Sequence, residues 1–328
     1  MSRKNLWLVI ATITVIAAGL IFGYSQKISS DATDARIIKI GYRAHDGYAP
    51  LFVGIEKGIF KKYGIDVETF RFDSTNQLVE ALLAEKIDAS LGGVNIPLIM
   101  KTEEKSPGTL KIFSSYEETA QNPTACFIVR NDSEIKSIGD LKGKKVSLPS
   151  GSTPPIVYKS MLKANNINFA DTQVISMNPD LQLAALESGQ VEAAMVLEPL
   201  ATIGTYKKIS KVIESALWSK FVFDHFPLGT SVIRSKFANE NLKTAQKLIK
   251  VANEAIDFIN IPDNRNETAH ILTKYTPLEL DIAQQLKPIP FIKLEQINMQ
   301  LLEKTKNFLL QEGELKNNID TNNLLYKL

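Results

Sequence analysis

One stretch of this chain occurs twice. Asn178 to Pro199, NPDLQLAALESGQVEAAMVLEP, repeats in outline the residues from Ser74 to Asn95, and Glu192 stands 104 residues after its counterpart Asp88. Ala184-Ala185-Leu186 falls on Glu80-Ala81-Leu82, and Gln190-Val191-Glu192-Ala193 on Lys86-Ile87-Asp88-Ala89. Each copy opens with a helix start that chemistry explains. Asn178 can cap with Pro179 at the first helical position, and Ser74 with Gln77 has the form of a capping box. Apolar stripes follow through Leu78, Ala81 and Leu82 in one copy and Leu181, Ala184 and Ala185 in the other. The small and apolar runs Ile87 to Gly92 and Val191 to Leu197 then suit strands buried on both faces of a parallel sheet. Two helix-into-strand units at a domain-sized offset predict two similar α/β lobes.

Composition sets limits on function. The chain has 328 residues, 44% of them hydrophobic, which is material for two domains with a core. Lys plus Arg number 38 against 36 Asp plus Glu, and a formal charge of +2 gives no electrostatic footprint for nucleic acid. The single cysteine, Cys126, excludes an intramolecular disulfide, and no CxxC or Cys/His zinc pattern is present. Inside the apolar run Ala125 to Val129 it reads as a buried small hydrophobe. No metal or cofactor is expected.

The N-terminus bears on the compartment. Arg3 and Lys4 precede Leu6 to Tyr24, nineteen residues without a charge, close to the length that crosses a bilayer and longer than an ordinary signal-peptide core. With the basic residues on the cytoplasmic side, everything after Tyr24 is expected outside the membrane. Gly23-Tyr24-Ser25 and Ser30-Asp31-Ala32 are weak cleavage sites, so an uncleaved anchor is favoured over a cleaved signal.

From Ile37 the pattern predicts a strand to Tyr42, a turn-rich Ala44 to Pro50, a helix from Leu51 to Gly58 and a second strand from Ile65 to Phe72. With the first repeat copy these form βαβαβ, the start of an open α/β sheet whose ligands sit beyond the carboxyl ends of its strands. That places Ala44 to Tyr48 and Gly92 to Asn95 on one rim. Strands at Leu110 to Tyr116 and Thr124 to Arg130 are expected to leave the first lobe and enter the second, and Phe226 to Arg234 to cross back. The resulting division is a segment 1–36, a discontinuous lobe of 37–118 plus 232–328, and an inserted lobe of 119–231. The last part reads as helical: Leu242 to Phe258, Glu267 to Lys274, a helix started by a Thr276 to Glu279 capping box, and Leu294 to Gln311.

The runs IGYRAHDGYAPLFVGIEKGIFKKYGIDVE, DLKGKKVSLPSGSTP and ALESGQVEAAMVLEP resemble the periplasmic binding proteins of the nitrate, sulfonate and taurine type, a superfamily that also includes binders of thiamine-pyrimidine precursors. The resemblance spans Ile37 to Leu328 and is poorly specific for the ligand. It implies a type II two-lobed fold with two hinge strands, a cleft between the lobes, and delivery of a solute to the permease of an ABC importer. A monomer is expected.

Several residues are candidates for holding that solute. Ser150-Gly151-Ser152-Thr153 precedes a helix expected to begin near Pro154, where unpaired N–H groups, the helix dipole and hydroxyls suit an anionic head group; simple N-capping by Ser152 or Thr153 is the competing reading. In proteins similar to this one the corresponding turn faces the cleft. Glu198 lies just past a buried strand, and in similar proteins the matching Glu-Pro helps line the cleft. A carboxylate there repels a bare oxyanion and favours an amine-bearing or NH-bearing ligand; pairing with a Lys or capping a helix are its alternatives. Tyr48, Asn95 and His45 on the first rim, and Tyr116, are weaker candidates. Gly92 and Gly93 would let a ligand approach the backbone.

The leading expectation is therefore a non-enzymatic receptor for a small organic ligand, sulfonate-like or taurine-like. The alternatives are a receptor for a thiamine-pyrimidine precursor or similar nitrogen heterocycle, and a sensor module anchored in the membrane. Pyrimidine-synthase relatives rely on a cysteine-rich motif that a chain with only Cys126 lacks, and no Ser-His-Asp order, HExxH motif or Walker loop occurs.

Overall fold

Both copies of the repeated pattern are a helix feeding a strand. The helix Thr75–Leu83 leads into a strand Ala89–Asn95, and the helix Pro179–Glu187 into a strand Ala193–Leu197. Their starts are capped as the chemistry requires: Ser74 Oγ accepts the Gln77 N–H at 3.2 Å, and Asn178 Oδ1 accepts that of Asp180 at 3.1 Å. The computed structural model describes residues 37–327. The expected membrane segment Leu6 to Tyr24 lies outside them, and among the described residues no helix is long and apolar enough to cross a membrane.

Among the described residues, eleven strands form two mixed sheets. In chain order they are β1 (Ile38–Tyr42), β2 (Val67–Arg71), β3 (Ala89–Asn95), β4 (Leu110–Glu118), β5 (Ala125–Arg130), β6 (Lys145–Pro149), β7 (Gln173–Met177), β8 (Ala193–Leu197), β9 (Ser210–Ser215), β10 (Phe226–Arg234) and β11 (Phe291–Lys293). The first sheet has the order β11-β4-β10-β3-β1-β2 and the second β7-β6-β8-β5-β9. The strand of each repeat copy has a parallel neighbour on one side, β1 for β3 and β6 for β8, and an antiparallel one on the other, β10 and β5. Each of those antiparallel partners arrives from the other sheet. The expected all-parallel surroundings of the repeat strands are corrected in this respect, because a strand delivered by a crossing enters in the opposite sense.

The chain passes between sheets twice, after Glu118 and after Ser215. β10 belongs to the first sheet over its whole length, so the second crossing is complete before Phe226, ahead of the 231/232 division expected from sequence. Alternation along the central strands of the second sheet decides what they bury. Cys126, Ile128, Ala194 and Val196 pack on one face with Ala185, Leu186 and Ala201, whereas Phe127, Val129, Ala193 and Met195 join the core on the other. Cys126 is buried, as a small hydrophobe in that position should be.

Two helix starts near the C-terminus differ from expectation. Thr276 does not open a helix; its hydroxyl donates back to the Leu272 carbonyl at 2.7 Å, closing the helix Arg265–Tyr275, and the next helix begins at Leu280. The expected helix from Leu294 is a single turn, Leu294–Gln296, followed by a new helix Met299–Gln311, because Asn298 caps afresh by accepting the Gln300 N–H at 3.0 Å.

Candidate functional site

Strand ends from both sheets converge on one cleft, as the geometry of α/β sheets requires. From the first sheet come Arg43 and Asp46 beyond β1, and Asn95 at the end of β3. From the second come Ser150 and Gly151 beyond β6, and Leu197 and Glu198 at the end of β8. The space between them is about 770 Å³ out to its open mouth, the size of a site for a small organic molecule. The two walls approach closely: a Cβ added to Gly151, whose φ is +137°, would stand 3.4 Å from Asn76 Oδ1 on the helix Thr75–Leu83.

Of the nine candidates read from sequence, His45, Asn95, Tyr116, Ser150, Gly151, Thr153 and Glu198 line this cleft. Tyr48 and Ser152 do not. Tyr48 is fully buried beneath it, its ring packed where a side chain on Gly93 would be, 2.2 Å from the hypothetical Cβ. The Gly47 carbonyl similarly fills the space over Gly92. Both glycines have positive φ, so they serve the close packing of the Asp46–Tyr48 turn onto β3. The room that the glycines were expected to give a ligand is occupied by protein. Ser152 has its hydroxyl buried without a partner in the turn behind the cleft wall.

The anion-binding reading of Ser150 to Thr153 also changes in its chemistry. The helix Pro154–Ala164 begins with two prolines, which have no N–H, and the Ile156 N–H is already bonded to the Thr153 carbonyl at 3.0 Å. Ser150 N–H is bonded to the Met177 carbonyl at 2.8 Å. Donors on this wall must therefore come from the turn itself, and neither Ser152 nor Thr153 caps the helix with its side chain.

Stronger donors lie opposite, and sequence reading missed the main one. Arg43 follows β1 and faces the cleft with its Nε buried and unpartnered; Nη1 makes only a long 3.4 Å contact to Thr75 Oγ1. His45 Nδ1 accepts the Gly47 N–H at 3.1 Å, which leaves the proton of a neutral ring on Nε2, itself buried without a partner. Burial lowers the pKa of that ring and keeps it neutral, so His45 offers a single N–H to the cleft. Arg43 was legible only as a residue at the carboxyl end of a strand. Asn76 had a better signal, because it stands in the first turn of the capped helix Thr75–Leu83 of the first repeat copy. Trp218, Leu228 and Ile289 supply apolar wall and had no signal in the pattern.

Acceptors share the same space. Asp46 is buried, and Glu198 Oε2 accepts the Thr202 N–H at 3.1 Å in the first turn of the helix Leu200–Tyr206. Thus Glu198 both caps a helix and faces the cleft. Burial pushes its carboxyl up to about 7, reinforced by the charge of Asp46 and opposed by the Thr202 N–H and by Lys287. Tyr116 is almost fully buried, packed edge-on against Phe291 at 5.5 Å, with burial raising its pKa out of reach of neutral pH. Asp224 and His225 lie outside the cleft, where His225 Nδ1 sits 3.0 Å from Glu117 Oε2 at an exposed position.

A pair of mixed α/β sheets joined by two crossings, with a polar cleft between their carboxyl edges, defines a bilobal α/β protein. The NMT1-like family model matches residues 31–273, and the chain belongs to that family. It is 25% identical over 331 residues to a Bacillus subtilis (strain 168) protein provisionally named as aliphatic sulfonates-binding, covering 98% of this chain and 94% of that one. Among solved structures, the periplasmic aliphatic sulphonate binding protein SsuA from Escherichia coli superposes with a TM-score of 0.70 at 18% identity, over 89% of this chain and 92% of that one. The periplasmic nitrate-binding protein NrtA from Synechocystis PCC 6803 gives 0.68 at 17%, over 88% and 83%. These structures share the fold of periplasmic binding proteins. Both of these neighbours are named as periplasmic binding proteins.

Proposed function

We propose that this protein captures a small amine-bearing organic anion, of the sulfonate or taurine type, in its cleft and hands it to the permease of an ABC importer. The observation that carries the reading is the presence of two opposite poles in one small space. Arg43 and the His45 Nε2–H donate from one side, and Asp46 and Glu198 offer carboxyl oxygens. A zwitterion matches both poles, whereas nitrate or sulfate would leave two carboxyl groups facing an anion. The name of the Bacillus subtilis relative supports the sulfonate end of the proposal. A nitrogen heterocycle is the second reading, favoured by a carboxyl that can hold a proton at neutral pH beside the rings of Tyr116 and Trp218.

In this proposal the domain works outside the cytoplasmic membrane, held there by Leu6 to Tyr24, and the two lobes close on the solute about the crossings after Glu118 and Ser215. Thermal shift at pH 8 against sulfonates, aminopyrimidines and small carboxylates tests the ligand. A ligand at a hundred times its Kd stabilises by about 2.7 kcal/mol, an easily measured shift. Taurine or a close amino sulfonate should stabilise most, and equal or greater stabilisation by nitrate or sulfate refutes the proposal. Small-angle scattering with the best ligand should show compaction; superimposable curves at saturation refute closure.

A further inference from the structure

Glu118 ends β4 with no solvent exposure and gathers five donors on one carboxylate. Its Oε2 accepts from the Thr124 N–H at 3.0 Å, the Thr124 hydroxyl at 2.7 Å and the Ala125 N–H at 2.7 Å. Its Oε1 accepts from the Trp218 N–H at 2.6 Å and the Ser219 N–H at 3.1 Å. Only an ionised carboxylate can serve all five, and bonds to a charged acceptor are the strong kind. Burial raises the pKa of this carboxyl, and the donors from Thr124, Ser219 and Ala125 oppose the rise.

The position of these donors gives the carboxylate its meaning. Thr124 precedes and Ala125 opens β5, the strand delivered by the first crossing, and Trp218 and Ser219 lie in the helix Leu217–Phe221 of the second. Glu118 is also paired in register with Phe226, the first residue of β10, whose ring stacks on Trp218 at 4.6 Å. Both crossings therefore meet at one side chain. Thr124 and Trp218 line the cleft, and the Thr124 carbonyl accepts the backbone N–H of Glu198 at 2.9 Å.

We propose that Glu118 is a positioning residue of the cleft: without touching the solute, its carboxylate fixes Thr124, Trp218 and, through the Thr124 carbonyl, the backbone of Glu198. The inference rests on the cleft being the binding site, but it concerns the wall itself and is tested without ligand. Trp7 and Trp218 are the two tryptophans of the chain, so the full chain carrying Trp7→Phe reports on Trp218 alone. Emission maximum and acrylamide quenching are compared for Glu118→Gln and for Glu103→Gln. Glu103 is a second buried carboxyl, which accepts the Gly108 N–H at 2.8 Å and does not line the cleft.

Glu118→Gln turns donors against an amide NH2 and should shift Trp218 emission to the red with a steeper quenching slope. Thr124→Val, which removes one donor only, should give a smaller shift in the same direction. Glu103→Gln should lower the melting temperature without moving the spectrum. An unchanged Trp218 spectrum in Glu118→Gln, or the same shift in Glu103→Gln, overturns the proposal. Where Glu118→Gln does not fold, Thr124→Val decides, and an unmoved spectrum there overturns it. Failure of the amino-sulfonate reading would instead show in the ligand screen, with these spectra unaffected.

Discussion

Replacing Glu198 by Gln separates the electrostatic role of this side chain from its shape. In the folded protein its carboxyl is raised from 4.5 to about 7, chiefly by burial and then by Asp46. A shift of that size disfavours the charged form by about 3 kcal/mol. The sign follows from proton binding: between pH 4.5 and 7 the folded state holds the proton more tightly than the unfolded chain, so stability contributed here falls as pH rises through that window and levels off above it. Gln keeps an acceptor for the Thr202 N–H but cannot ionise. Glu198→Gln should therefore match the parent at pH 4.5 or below and exceed it by up to about 3 kcal/mol at pH 8 in urea unfolding of the ligand-free protein. Other titrating groups are common to both proteins and cancel in the difference. Calorimetry at pH 8 supplies the second arm: an amino sulfonate such as taurine should lose about 2 kcal/mol or more of binding on the substitution, and ethanesulfonate should be spared or improved. A stability difference that does not change with pH refutes the electrostatic account. Equal effects on the two ligands would make Glu198 a helix cap only and withdraw the amine-bearing assignment.

Arg43→Met keeps most of the side-chain stem but removes the guanidinium, and should weaken sulfonate binding by about 2 kcal/mol or more; a loss below tenfold by calorimetry refutes its role as the anion pole. Thr153→Ala should cost about 1 kcal/mol of binding while Ser152→Ala, whose hydroxyl lies off the cleft, should cost none; the reverse order in the same titration refutes this assignment of the turn. The buried pair of Arg234 Nη2 and Asp88 Oδ1 at 2.8 Å joins β10 to the turn before β3, so Asp88→Ala should lose about 3 kcal/mol or more in urea unfolding, and a loss below about 1 kcal/mol would show that the remaining contacts of the guanidinium to Glu85 and the Ile87 carbonyl suffice.

The sequence by itself determined the repeated units and much of the rim. Ser74 and Asn178 announce their helices because a cap is a local bargain between one side chain and N–H groups two or three residues on, and strand burial follows from short apolar runs. The strand-end rule then put His45 and Asn95 on one rim, and the resemblance to binding proteins added Ser150 and Glu198. Local patterns failed where two local choices were both open, as at Thr276, whose hydroxyl could cap forward or bond backward. Tertiary structure alone decided that Tyr48 lies under the cleft and not in it, since that depends on Gly93 and the Asp46–Tyr48 turn meeting across the sheet. It alone gave Arg43 an unpartnered Nε, brought Asp46 near Glu198, and assembled five donors on Glu118 from segments as much as 101 residues apart. Charge environment and donor geometry are sums over neighbours in space, and no spacing along the chain records them.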